Sequence, residues 1–329
     1  MKKDDFNYSL YKSDLVKLGC HKKRRTSRPF AELEADMTLC MAAKASDYDY
    51  NCDLIVLAAD KRAEASWAGG DVSTKWGAGH QYWPALFAGE ISKAEDFLAT
   101  SKATLAGDEI TALNIFDKFT HVSNVHKEKL CQRYVRQELG ISFERLLTQG
   151  ENELPPEVRA RIFHELGRLE FGCDIIICGF TDEDEPHIIE IDTNGEVYSH
   201  QNFAAIGTGA VIAKSTMYHR GQTRFKTLEA TLYTLYEASR MAYGTAPGVG
   251  EIKHFNVIER KDNGGIEITR TNEKCMKVLE AKFDELGPKP LGWIPAMDAS
   301  CFYERRPATP LPESAVAQPS DSETSEGQS

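Results

Sequence analysis

No run of roughly 18 apolar residues occurs in the chain, so the sequence offers no membrane-spanning helix. Residues 1–36 also lack the apolar h-region of a secretory signal. The eight cysteines, at positions 20, 40, 52, 131, 173, 178, 275 and 301, include no C-x-x-C pair. Redox and zinc motifs of that kind are therefore absent. Several cysteines, Cys40 and Cys178 among them, sit in apolar runs and read as reduced core residues, which suits the cytosol. Positive charge is in short supply: 39 Lys and Arg face 50 Asp and Glu, a net charge of −11. That balance argues against general nucleic-acid binding. The basic knot His21-Lys22-Lys23-Arg24-Arg25 is the local exception; it reads as a solvated tail or, alternatively, as a nucleic-acid patch.

What is present is a globular pattern. Hydrophobic residues make up 41% of the 329, enough for a sizeable core. Leu39–Ala43 and Asp53–Ala59 read as buried strands around a polar turn at Ser46–Asn51. Trp76–Phe87 is aromatic and glycine-rich and contains a further strand. A helix begins over Glu90–Thr100, and Ile110–Leu139 is largely amphipathic helix, with Leu113, Phe116, Phe119 and Val122 on one side. Ser142–Leu166 contains another helix after Pro155-Pro156, since proline is tolerated in a first turn. Asp174–Phe180 and His187–Asp192 read as strands around the acidic turn Thr181–Pro186. Val211–Ala213 leads into a helical stretch, and Leu228–Ala242 is a helix. Phe255–Glu259 and Gly265–Thr269 flank a hairpin turn at Lys261–Gly264. Residues 306–329 are rich in Pro, Ser, Glu and Gln and read as disordered. Strand runs separated by a helical block indicate an α+β chain.

Met37–Lys44 reads MTLCMAAK, Leu54–Ala65 reads LIVLAADKRAEA, and Ala85–Glu90 reads ALFAGE. Downstream, Cys173–Gly195 reads CDIIICGFTDEDEPHIIEIDTNG and Asn202–Ala213 reads NFAAIGTGAVIA. In this order, these blocks resemble the proteasome β-type subunits and HslV-like proteases of the N-terminal nucleophile (Ntn) hydrolases. The resemblance runs over about residues 37–260. It implies a four-layer αββα sandwich over residues 37–305, with the nucleophile at the end of the first strand. Segment 142–166 looks enlarged relative to that family.

The resemblance also assigns roles. Thr38 would be the nucleophile, with its free α-amine as base; Lys75 would tune that amine and Asp60 would orient Lys75. Gly89 would supply an oxyanion donor, and Thr208, in Gly207-Thr208-Gly209, stands where the family has a serine. The chemistry is sound without the family. A threonine hydroxyl needs a nearby base, and an α-amine, with pKa near ~7.7, is one. A neighbouring ammonium lowers that pKa, and a carboxylate fixes the ammonium. Each residue also has an ordinary reading: Thr38 as a strand threonine, Asp60 and Arg62 as a charged turn, Lys75 as a solvated lysine, and Gly207–Gly209 as a strand-end turn.

The mechanism requires Thr38 to be the first residue. Self-cleavage before it, or translation from Met37 followed by methionine removal, would achieve this; retention of residues 1–36 would leave a non-catalytic subunit. Three departures bear on the choice. Thr38 to Asp60 is longer than in the family, Asp36-Met37 replaces the usual glycine before the nucleophile, and Met241 and Gly244 stand where an aspartate and a serine often lie. The expected activity is that of a threonine-type peptidase or amidohydrolase acting on peptide or other amide substrates. The alternatives are a structural subunit of the same fold and a small-molecule Ntn amidase. The protein is expected to be cytoplasmic and homo-oligomeric, with an ATP-driven unfoldase left open. No cofactor, metal, nucleic-acid or membrane partner is expected.

Overall fold

The computed structural model describes residues 38–47, 52–60, 63–65, 68–70, 75–80, 82–261 and 265–288. Met37, the extension before it, Arg62, most of the 46–51 turn and the 306–329 tail lie outside the described residues. The chain divides into two units, Met1–Gly287 and Pro288–Ser329, and every element below lies in the first.

The strands are β1 (Cys40–Asp47), β2 (Cys52–Ala59), β3 (Ala63–Ala65), β4 (Ala68–Gly70), β5 (Trp76–His80), β6 (Trp83–Gly89), β7 (Cys173–Phe180), β8 (Pro186–Ile191), β9 (Val197–His200), β10 (Phe203–Ile206), β11 (Asn256–Arg260) and β12 (Ile266–Arg270). The helices are α1 (Ile91–Thr104), α2 (Ile115–Leu139), α3 (Phe143–Glu153), α4 (Pro156–Leu166), α5 (Ala210–His219), α6 (Leu228–Thr245) and α7 (Glu273–Leu286). Two five-stranded sheets run in the orders β10-β1-β2-β11-β12 and β5-β6-β7-β8-β9. Their strand pairings are antiparallel. The small β3–β4 pair stands apart from both.

Side-chain alternation sorts the core. Leu39, just before β1, and Met41, Ala43 and Ala45 within it join Val56, Met217, Leu235 and Leu279 in one cluster, so this face of the first sheet packs on α5, α6 and α7. Cys40 and Ala42 point the other way, into a cluster with Ile55, Leu57, Leu86, Ala88, Ile176 and Ile188 drawn from both sheets. In the second sheet, Phe87, Ile175, Ile177 and Ile189 meet Phe97, Phe119 and Val122 of α1 and α2. A one-residue slip in β1 would exchange its two apolar faces. Each fully buried Ile or Leu contributes ~1.5–3 kcal/mol, so these three clusters dominate the stability.

Several local readings change. Trp76–Phe87 forms two strands, β5 and β6, with a register shift between Ala78 and His80 next to Pro84, which has no N–H to give. Residues 142–166 hold two helices, divided at Pro155-Pro156; Ser142 Oγ caps the first by accepting from Arg145 N at 3.2 Å. These helices pack Leu146, Ile162 and Leu166 against Val135 of α2. The expected face of α2 is wrong in part. The helix starts at Ile115, and its buried stripe is Ile115, Phe119, Val122, Ser123 and His126. Leu113 precedes the helix and is 93% exposed, while Phe116 lies a residue off the stripe and is 46% exposed. Strands β9 and β10 and helix α7 were not foreseen. Asn272 caps α7 by accepting from Cys275 N at 2.9 Å.

Candidate functional site

Strands β1 and β2 form a hairpin in which Cys40 pairs with Ala59. That register sets Asp60, just past β2, level with Leu39, just before β1. The two exchange bonds: Asp60 N donates to Leu39 O at 3.0 Å and Leu39 N donates to Asp60 Oδ2 at 3.2 Å. Lys75 comes from the second sheet, immediately before β5, where its carbonyl accepts from Phe87 N at 3.4 Å. The facing sheets therefore bring three residues distant in sequence to one point.

There, Lys75 Nζ donates to Thr38 Oγ1 at 2.5 Å and forms an ion pair with Asp60 Oδ1. Thr38, Asp60 and Lys75 are all buried. Asp60 Oδ2 also accepts from Gly250 N at 2.9 Å. Burial pushes the Asp60 carboxyl up, while the Lys75 ammonium and the amides of Gly250 and Leu39 pull it down. A buried ion pair is weak evidence for stability, because desolvation offsets much of its attraction. Its contact with a hydroxyl makes it a candidate for chemistry.

The Gly207–Gly209 turn closes on the Thr38 backbone. Gly209 N donates to Thr38 O at 3.3 Å. Gly207 has φ +89, and a Cβ there would stand 2.3 Å from Thr38 O and 3.2 Å from Ala88 Cβ. Only glycine fits that approach without strain. Thr208 lies between these two glycines and is exposed. Gly89, with φ +110, ends β6 directly after Ala88, and a Cβ there would meet Gly172 O at 2.6 Å. Thus Lys75 touches both Thr38 and Asp60, Gly207–Gly209 touches the Thr38 carbonyl, and Gly89 adjoins through Ala88.

Two partners of the site were not anticipated. The Leu39 and Gly250 amides hold Asp60, and Gly250 reaches it across 190 residues. The run Pro247-Gly248-Val249-Gly250 after α6 is the sequence signal that marks a tight loop there. The nearby Cys40 is no rival nucleophile. Burial and Asp60 push its thiol well up, and its Sγ donates to Phe87 O at 3.3 Å. Met241 and Gly244 lie in α6 and supply neither a carboxylate nor a hydroxyl.

Residues 148–244 match the family model described as Proteasome subunit, which supports a relation to the proteasome-type family. The match covers less than a third of the chain and leaves Thr38, Asp60 and Lys75 outside it. No curated protein matches the chain. No helix among the described residues is long and apolar enough to cross a membrane.

Proposed function

We propose that the chain is a proteasome-like Ntn hydrolase with a four-layer αββα fold over residues 37–305, cleaving amide bonds through a threonyl ester on Thr38. The contact from Lys75 Nζ to Thr38 Oγ1 carries this reading. With Thr38 as first residue, its amine accepts the Oγ proton as Oγ attacks the substrate carbonyl. The Gly89 amide receives the oxyanion. The C–N bond then breaks, the ammonium returns its proton to the leaving amine, and the threonyl ester remains. Water, deprotonated by the same amine, hydrolyses the ester. Lys75 stabilises the developing negative charge and lowers the basicity of the amine; Asp60 keeps Lys75 aimed. Thr208 supplies a supporting hydroxyl beside the turn.

The family match adds support from a separate part of the chain, and proteasome-type subunits assemble, which fits a homo-oligomeric, cytoplasmic particle. Much of α6 is buried within its own subunit. Exposed Val211 and Tyr218 favour α5 as a contact surface. A second reading, a non-catalytic subunit, is favoured by Met241 and Gly244. A small-molecule amidase is the third reading, distinguished by a stable monomer in light scattering.

The test uses protein beginning at Thr38, compared with Thr38→Ala. The parent should hydrolyse members of a broad peptide panel, and Thr38→Ala should not, with fold and assembly unchanged. An inactive parent with Thr38 verified as first residue would sink the enzyme reading.

A further inference from the structure

Strand β1 carries a second buried lysine towards its other end. Lys44 shares the face of Cys40 and Ala42, which packs between the sheets. Six residues of extended chain put it ~20 Å from Thr38. It is 6% exposed; no hydrogen bond or ion pair reaches its ammonium among the described residues, and the Nζ itself is not among the unpartnered polar atoms cut off from solvent. The charged and titratable groups around it are Arg224, Cys178, Glu185 and Asp53. His187, at the start of β8, faces Lys44, Arg224 and Glu185.

Of the two acids here, Asp53 is already engaged and Glu185 is not in hydrogen-bond reach of its nearest base. Asp53 accepts from Ser46 Oγ at 2.9 Å and lies 3.8 Å from Arg224 Nη2. Glu185 Oε2 stands 4.0 Å from His187 Nε2. The donors are not satisfied. Thr181 Oγ1, His187 Nε2 and Arg224 Nε are shut off from solvent and have no hydrogen-bond partner among the described residues. Thr181 belongs to this same end, since its N donates to Glu185 O at 3.1 Å across the β7–β8 turn. Buried polar groups are normally paired, so a set of donor-capable orphans beside an unpaired lysine calls for an acceptor from outside the chain. The Cys178 thiol, pushed up by burial, stays neutral and adds no competing charge.

We infer that this end of the inter-sheet space binds a small oxyanion, a carboxylate or phosphate group, held by Lys44, Arg224, Thr181 and His187. Lys44, now lowered to about 8 by burial and by Arg224 against the weaker pull of Glu185 and Asp53, would gain a directly bonded counter-charge. The site is independent of the Thr38 chemistry.

The test is thermal unfolding of the full chain, titrated with inorganic phosphate and separately with acetate at ionic strength fixed by chloride. A saturable rise in Tm with either anion, lost in Lys44→Met and about tenfold weaker in Arg224→Gln, is expected. The stronger anion identifies the ligand class. If neither anion gives a saturable rise beyond chloride, water alone satisfies the donors and the inference fails. An equal rise in Arg224→Gln, whose half-exposed side chain makes loss of folding a minor concern, also overturns it.

Discussion

Lys44 and Lys75 are each 6% exposed; Lys44 belongs to β1, and Lys75 precedes β5 and reaches Thr38, shortly before β1. Their surroundings differ in one respect. Lys75 meets Asp60 and Thr38 Oγ1, and Asp60 is in turn held by two backbone amides. Lys44 meets a guanidinium and two acids, of which Asp53 has another partner, with no bond to its own ammonium among the described residues. A buried cation costs stability unless it is paired. At the Thr38 end that cost is offset locally, which yields a fixed ammonium aimed at a hydroxyl. At the other end it is left open.

The comparison breaks most sharply at the chemistry. In protein beginning at Thr38, Lys75→Ala should lower hydrolysis far more than tenfold, because the variant loses both the shift of the amine and the charge facing the oxyanion; one pKa unit alone is ~1.4 kcal/mol. Lys44→Met should leave the rate on the same peptide within a factor of about two, given the ~20 Å separation. Comparable losses in both variants would erase the distinction.

Stability comes next. Asp60→Asn leaves the Lys75 ammonium buried without its counter-ion and should cost about 3–5 kcal/mol in chemical denaturation. A loss under about 1 kcal/mol would mean that the ion pair is not formed in solution.

The third expectation concerns pH. Burial and Arg224 lower Lys44 from 10.5 to about 8, so between those values the unfolded chain holds a proton that the folded chain does not. Stability should therefore rise with pH across that window, with the full penalty present below about 8 and gone above 10.5. Measured as a difference from Lys44→Met, the rise should approach roughly 3 kcal/mol in the absence of an anion. A flat difference would show Lys44 to be paired.

The smallest effect contrasts two glycines. Gly244 lies in α6 with open space where a Cβ would go, so Gly244→Ala should stabilise by about 0.5–1 kcal/mol. Gly207→Ala drives a Cβ against Thr38 O and should destabilise while disturbing the nucleophile. Equal effects in thermal unfolding would remove the structural role given to the 207–209 turn.

The sequence carried the site further than the fold. Thr38, Asp60 and Lys75 were named through the resemblance, and the structure places Lys75 against both of the others; read alone, they are a strand threonine, a turn aspartate and a solvated lysine. Gly250 was not named, since its contribution is a backbone amide delivered by a distant loop. The face of α2 was misread because Leu113 precedes the helix. Starting the apolar count at Ile115 shifts the stripe off Phe116. Strands β9 and β10, at four residues each, are too short for their alternation to stand out. The amphipathic α7 went unread although half of its residues are apolar, and only Leu279 among them is buried.

The central claim is that Thr38 is a nucleophile activated beside Lys75. Its most direct test is intact-mass analysis of protein beginning at Thr38 after exposure to an electrophile that esterifies N-terminal threonines. One adduct per chain, mapped to Thr38 and absent from Thr38→Ala and Lys75→Ala, is the predicted result. No adduct on the parent, or equal labelling of Thr38→Ala, would contradict it.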